Sequence, residues 1–204
     1  MKSKEHWDRV YTCKQTTEVS WFEAHPEMSL RMIKSTGVQV DGAIIDVGGG
    51  ASTLSDVLIA DGYQKITVLD ISAAALQKSK ERLGELAHRV KWLDADITET
   101  KLPDNYDIWH DRAVFHFLTD ADDRKKYVDT LRESLNSGGY VIISTFSIEG
   151  PMKCSGLDVV RYSPETLHRE LGDDFTLEES VNVEHVTPAK GVQKFICCCF
   201  KRES

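Results

Sequence analysis

Three glycines in a row, Gly48-Gly49-Gly50, directly follow a short apolar run and are preceded by a carboxylate, Asp46. Glycine lets the backbone approach a ligand closely and take φ > 0 where a tight turn needs it. A second carboxylate, Asp70, ends the run Thr67-Val68-Leu69, 24 positions after Asp46. An acid there can accept both hydroxyls of a ribose; its alternative role is to cap the helix that follows. A third acid, in Asp96-Ile97, follows Trp92-Leu93-Asp94-Ala95. It can accept a hydrogen bond from an adenine amino group while the isoleucine covers the ring. The spacing G-G-G-A-S-T is not the G-x-G-x-x-G/A of dinucleotide sites.

A second group of polar residues follows the expected fourth strand: His110, Asp111, Arg112 and His116. His110 or Asp111 is a candidate general base, needed only where a nucleophile arrives protonated. Each has a plainer reading, Asp111-Arg112 as an ion pair and His116 as a buried, hydrogen-bonded histidine. The stretch Gly150–Tyr162 is long for a connection, and long connections are often functional. Cys154 and Arg161 are its candidates for substrate contact, with Cys13 as a conceivable partner of Cys154 for a soft ligand.

The elements that must position these residues alternate between strand and helix. Ala43–Val47, Lys65–Asp70, Val90–Leu93, Tyr106–His110 and Tyr140–Phe146 read as strands, the apolar runs suited to a parallel sheet buried on both faces. Leu54, Val57 and Leu58 recur at helical spacing, and Gly62 ends that helix. Ser72 is an N-cap for a helix whose Leu76, Ser79, Leu83 and Leu86 share one side. Tyr127, Val128, Leu131 and Leu135 form the face of another, with Gly138-Gly139 as its stop. Ser163-Pro164 opens a short helix. Phe175–Val186 and Gln193–Lys201 are consecutive strands with a short loop, hence an antiparallel pair. The expectation is an α/β, doubly wound, mostly parallel sheet with right-handed crossovers.

The chain has 204 residues, 41% of them hydrophobic, enough for one well-filled core and one domain. A formal net charge of -8 argues against non-specific binding to nucleic acid. The opening MKSKEHWDRV lacks the apolar core of a signal peptide, and no run of ~18 apolar residues offers a membrane span. A cytoplasmic location is therefore expected. Five cysteines without a CxxC pair suggest reduced thiols and no closed zinc site. In an extended strand Cys197 and Cys199 would face one side and Cys198 the other.

Taken together, the DVGGG turn, Asp70, Asp96-Ile97, Tyr106-Asp107, Ser137-Gly138-Gly139 and the terminal strand pair resemble the class I S-adenosylmethionine (SAM)-dependent methyltransferases. The resemblance covers nearly the whole chain. It implies a seven-stranded sheet of order 3-2-1-4-5-7-6 with an antiparallel C-terminal strand, SAM as cofactor and S-adenosylhomocysteine as product, and no metal. Asp46, Gly48, Gly49 and Gly50 would lie at the methionine part, Asp70 at the ribose, Ile71 on the adenine, and Asp96 and Ile97 at its edge. The opening Trp7-Asp8-Arg9-Val10-Tyr11 resembles the W-D-x-x-Y start of a subset, where it lies over the cofactor. Trp7 and Tyr11 become cofactor candidates, and residues 1–36 an expected helical lid. Ordinary packing onto the sheet is the other reading of these aromatics. The implied activity is methyl transfer to an oxygen, nitrogen or sulfur of a small molecule, with Arg112, His116, Cys154 and Arg161 as substrate contacts. Protein lysine methylation is the second reading, and a SAM-binding protein without turnover the third.

Overall fold

Apolar runs become strands and amphipathic stretches become helices in a computed structural model, which describes residues 4–203. The first three residues of the expected 1–36 segment lie outside the described residues. The rest of that segment holds two helices, α1 (Lys4–Cys13) and α2 (Glu27–Ser35). Then follow β1 (Ala43–Val47), α3 (Leu54–Ala60), β2 (Lys65–Asp70), α4 (Ala73–Leu83), β3 (Val90–Asp94) and β4 (Tyr106–Arg112). The second half holds α5 (Ala121–Ser134), β5 (Leu135–Phe146), the two-residue strands β6 (Lys153–Cys154) and β7 (Leu157–Asp158), α6 (Pro164–Leu171), β8 (Phe175–Val186) and β9 (Val192–Arg202).

Seven strands form one sheet in the order β3-β2-β1-β4-β5-β9-β8. This is the expected 3-2-1-4-5-7-6 once the small β6–β7 pair is set aside. β1 to β5 pair in parallel, while β9 runs antiparallel to both β5 and β8. Because successive strand residues face opposite sides, the sheet builds two cores. Ile45, Trp109, Ile143 and Cys198 meet α5 and α6 on one face. Ile44, Ile108, Ile142, Cys197 and Cys199 meet α2, α3 and α4 on the other. The cysteine triplet thus divides between the faces, and burial pushes all three thiols up to about 12.

Three local expectations are corrected. Leu86 is 46% exposed, because the helix ends at Leu83 and Gly84, at φ +55°, turns the chain into a 3-10 segment. Gly138-Gly139 do not stop α5, which ends at Ser134. They lie in β5 where its register against β4 slips, Leu135 pairing with Tyr106 and Tyr140 with Ile108. The 150–162 connection contains a hairpin with Ser155 and Gly156 at its tip, both at positive φ as a two-residue hairpin turn requires. Among the described residues no helix is long and apolar enough to cross a membrane.

Candidate functional site

The glycine turn sits at the carboxyl end of β1, and its geometry is set by the two acids on either side. Gly48 has φ +70°, and a Cβ there would overlap the Val114 side chain. A Cβ on Gly49 would overlap the Asp46 carboxylate, and one on Gly50 would overlap Asp70 and stand 2.5 Å from the Ala75 Cβ. The third glycine is thus required by contact with Asp70. Its N–H donates to Asp70 Oδ2 at 3.0 Å, and Ser72 N–H donates to Asp70 Oδ1 at 2.8 Å. Burial pushes the Asp70 carboxyl up to about 7 in spite of these two donors. Asp70 therefore organises the turn and also borders the cleft beside it.

That cleft encloses about 750 Å³ of empty space, mouth included, along the carboxyl edge of the sheet. Asp70, Ile71 and Ile97 line one end, Gly48, Arg112 and Val114 the middle, and Phe146, Cys154 and Phe195 the other. Its wall is mainly apolar, as walls of small-molecule sites are. The N-terminal aromatics close over it. The Trp21 indole N–H donates to Tyr11 Oη at 3.0 Å, and Trp7 packs edge-on against Trp21 and Phe117. α1 is fastened by Asp8 Oδ1, which accepts from Ser72 Oγ at 2.7 Å and Ala74 N–H at 3.3 Å. Cys154 is buried here, and burial pushes its thiol up to about 11.

A smaller, more polar recess adjoins the middle, lined by Asp46, Gly49, Glu23 and Arg112 among others. Asp46 Oδ2 is buried there without a hydrogen-bond partner. Arg112 donates to Trp21 O at 2.8 Å and lies 3.4 Å from Glu23. Burial raises the Glu23 carboxyl, but His185 and Arg112 more than offset this and leave it below its ordinary range. Two carboxylates and a guanidinium side by side can receive a zwitterion, its ammonium at the acids and its carboxylate at the arginine.

Neither candidate base lines the cleft. Both lie within β4 and point into opposite cores. His110 is 2% exposed and bridges Asp46 Oδ1, at 2.7 Å from Nδ1, and Ser29 Oγ of α2, at 2.9 Å from Nε2. Asp111 is fully buried on the α5 side, accepting from Tyr127 Oη at 2.6 Å and from Val114 N–H at 2.8 Å. Burial pushes its carboxyl up to about 6. The expected Asp111–Arg112 ion pair is not formed; Arg112 turns to Glu23 instead. Arg161 donates to Ile148 O and Gly150 O and holds its own loop rather than lining the cleft. Cys13 is exposed and does not line the cleft that contains Cys154. Asp96 Oδ1 accepts from Thr98 N–H and Oγ1, so it shapes the turn whose Ile97 lines the cleft.

His116 does line the cleft, fully buried and stacked on Phe146 with centroids 4.6 Å apart. The sequence reading omitted Phe117, Phe146, Phe195, Gln193 and Glu23. Only Phe146 carried a signal, since it ends a parallel strand on the edge where ligands bind in such sheets. Ala113, at φ +70°, turns the chain sharply after β4 and places Val114 against Gly48. Strained backbone of this kind gathers at functional sites.

Comparison with known proteins agrees with this geometry. Residues 45–141 match the family described as a methyltransferase domain. Malonyl-[acyl-carrier protein] O-methyltransferase of Anoxybacillus flavithermus is 29% identical over 148 residues, 72% of this chain and 54% of the relative. The chain thus spans about half the length of that relative. EEF1A lysine methyltransferase 2 of Danio rerio is 27% identical, over 70% of this chain and 68% of its own. The N-methyltransferase NodS of Bradyrhizobium japonicum, solved with S-adenosyl-L-homocysteine, has the same fold, with a TM-score of 0.73 and 16% identity over 97% of this chain and 98% of its own. Residues 45–141 thus match the methyltransferase-domain family, and the strand order is the fold of solved SAM-dependent methyltransferases.

Proposed function

We propose that this chain forms one domain that, in the cytoplasm, moves the methyl group of SAM to a nucleophilic oxygen, nitrogen or sulfur of a small molecule. The observation that carries this reading is the continuity of the cleft from the acidic nucleoside end at Asp70 to the aromatic end at Phe146 and Phe195. Two reactants can lie end to end in it. When bound, SAM supplies a methyl group made electrophilic by a sulfonium. Everything else is positioning by the chain itself, and holding two reactants in line accounts for much of the rate of such a displacement.

In this reading Asp70 accepts from the ribose hydroxyls, Ile71 and Ile97 flank the adenine, and Asp96 stands at its edge. Asp46 Oδ2 and Glu23 receive the ammonium of the amino-acid tail, and Arg112 its carboxylate. Gly48 and Gly49 allow the approach of the backbone. His110 and Ser29 orient Asp46 from behind. Residues 1–36 act as a lid, in which Tyr11, Trp7 and Trp21 exclude water from the methyl group. An acidic chain whose cysteines are all unpaired suits a reducing compartment and a partner other than nucleic acid.

The test is incubation with methyl-labelled SAM and a cell lysate, followed by separation of protein from metabolites. Label in the metabolite fraction is expected, together with one S-adenosylhomocysteine site per chain by calorimetry. Label in protein selects lysine methylation, the activity in the name of the Danio rerio relative. Binding without transfer leaves a non-catalytic protein.

A further inference from the structure

The far end of the cleft has features that the cofactor reading leaves unused. Asp70 ends β2 and Phe146 ends β5, and β1 and β4 lie between. Three strand spacings of ~4.8 Å separate them by roughly 14 Å. A nucleoside over β2 and β3 with its tail over β1 and β4 leaves the β5–β9 edge free. That edge is walled by Phe117, Phe146 and Phe195, the last two with ring centroids 4.5 Å apart.

Two polar atoms in this wall are buried without partners, His116 Nε2 and Gln193 Oε1. Both residues line the cleft. Gln193 stands two positions before Phe195 in β9, hence on the same face of the strand. The Phe146 N–H donates to His116 Nδ1 at 3.4 Å. Burial pushes the imidazole down to about 3, so it is neutral, and with Nδ1 accepting, its single proton sits on Nε2. His116 thus offers a donor and Gln193 an acceptor in a cleft that Phe117, Phe146 and Phe195 also line. Buried polar groups are normally satisfied, and a ligand in the cleft can do it here. Among the described residues no carboxylate lines this end, and the buried Cys154 thiol stays protonated. His116 cannot take a proton either. No group is present to deprotonate an alcohol or an alkylammonium.

Resting on the methyltransferase reading above, we propose that this end is the acceptor subsite. It takes a small, flat, uncharged heteroaromatic molecule that accepts a hydrogen bond from His116, donates one to Gln193, and presents a ring-nitrogen or sulfur lone pair to the methyl group. That lone pair forms the new bond to the methyl carbon as the carbon–sulfur bond of the sulfonium breaks. The broken bond's pair stays on that sulfur, so S-adenosylhomocysteine leaves without the sulfonium charge. The positive charge passes to the acceptor, which then sheds any ring N–H proton to water. No base is needed before transfer.

The probes are hypoxanthine and 6-mercaptopurine, with benzylamine and benzoate as charged rings. Each is titrated into the protein saturated with S-adenosylhomocysteine, then offered with labelled SAM. Purine probes should bind at least tenfold tighter than the charged rings and be the ones methylated, the product showing whether nitrogen or sulfur reacted. His116→Phe and Gln193→Leu should each weaken hypoxanthine at least tenfold, His116→Gln, which keeps an N–H, should lose less, and S-adenosylhomocysteine binding should stay within twofold. Tighter binding or faster methylation of benzylamine overturns the proposal. So does unchanged hypoxanthine affinity in both variants, or no probe binding to a protein that still binds S-adenosylhomocysteine. Failure to bind S-adenosylhomocysteine at all overturns the methyltransferase reading instead.

Discussion

Asp70 should make cofactor affinity depend on pH in a range where most carboxylates are already ionised. Its side chain is 7% exposed, and burial raises its carboxyl to about 7. A ribose diol donates two hydrogen bonds, so it binds the carboxylate and not the acid. With that value about 3% of the protein carries the charge at pH 5.5 and about 90% at pH 8. The dissociation constant of S-adenosylhomocysteine should fall about 30-fold between these pH values, or about 2 kcal/mol at 1.4 kcal/mol per decade. Asp70→Asn should bind weakly and nearly independently of pH. The same group acts on stability with the opposite preference. A carboxyl raised in the folded state stabilises fully below its unfolded value near 4, and that contribution is lost as pH rises through about 7. Without ligand, the wild-type protein should therefore gain on the order of 1 kcal/mol relative to Asp70→Asn on going from pH 8 to pH 6. Calorimetric titration and denaturant melts at both pH values measure the two effects. A flat affinity profile, or a pH dependence retained in Asp70→Asn, would refute the placement of the ribose at this residue.

Three further outcomes follow from the contacts. Gly50→Ala drives a Cβ into Asp70 and Ala75 and should cost about 1–3 kcal/mol in denaturant melts. Gly62→Ala, at φ +91° with open space around it, should cost less. His110→Ala leaves Asp46 and Ser29 without their buried partner and should destabilise by about 1–3 kcal/mol; an unchanged denaturant midpoint would show that these hydrogen bonds contribute nothing to the fold. Proteolysis between α1 and α2 should be slowed by S-adenosylhomocysteine and accelerated by Asp8→Ala, which frees α1 from the start of α4. Equal cleavage with and without ligand would make the N-terminal aromatics fixed packing rather than a lid.

Much of this molecule follows from local rules that a chain obeys wherever it folds. Ala43–Val47 and Lys65–Asp70 are strands at the expected limits because continuous apolar runs closed by a turn have no better burial than the middle of a parallel sheet. Ser72 and Ser163 cap their helices as their residue types dictate. Cys197, Cys198 and Cys199 divide between two cores because strand side chains alternate. The same alternation shows that His110 and Asp111 face opposite sides. It does not show that Ser29 covers one and Tyr127 the other, since those partners lie 81 and 16 positions away. Proximity to a strand end made both look reactive, and packing by α2 and α5 removed them from the cleft. The aromatic end was hidden for a similar reason. Phe195 meets Phe146 only because β9 enters antiparallel beside β5, so its first residues, and not its last, reach the ligand edge. No local pattern in Gln193 or Phe195 encodes that arrival; long-range strand pairing does.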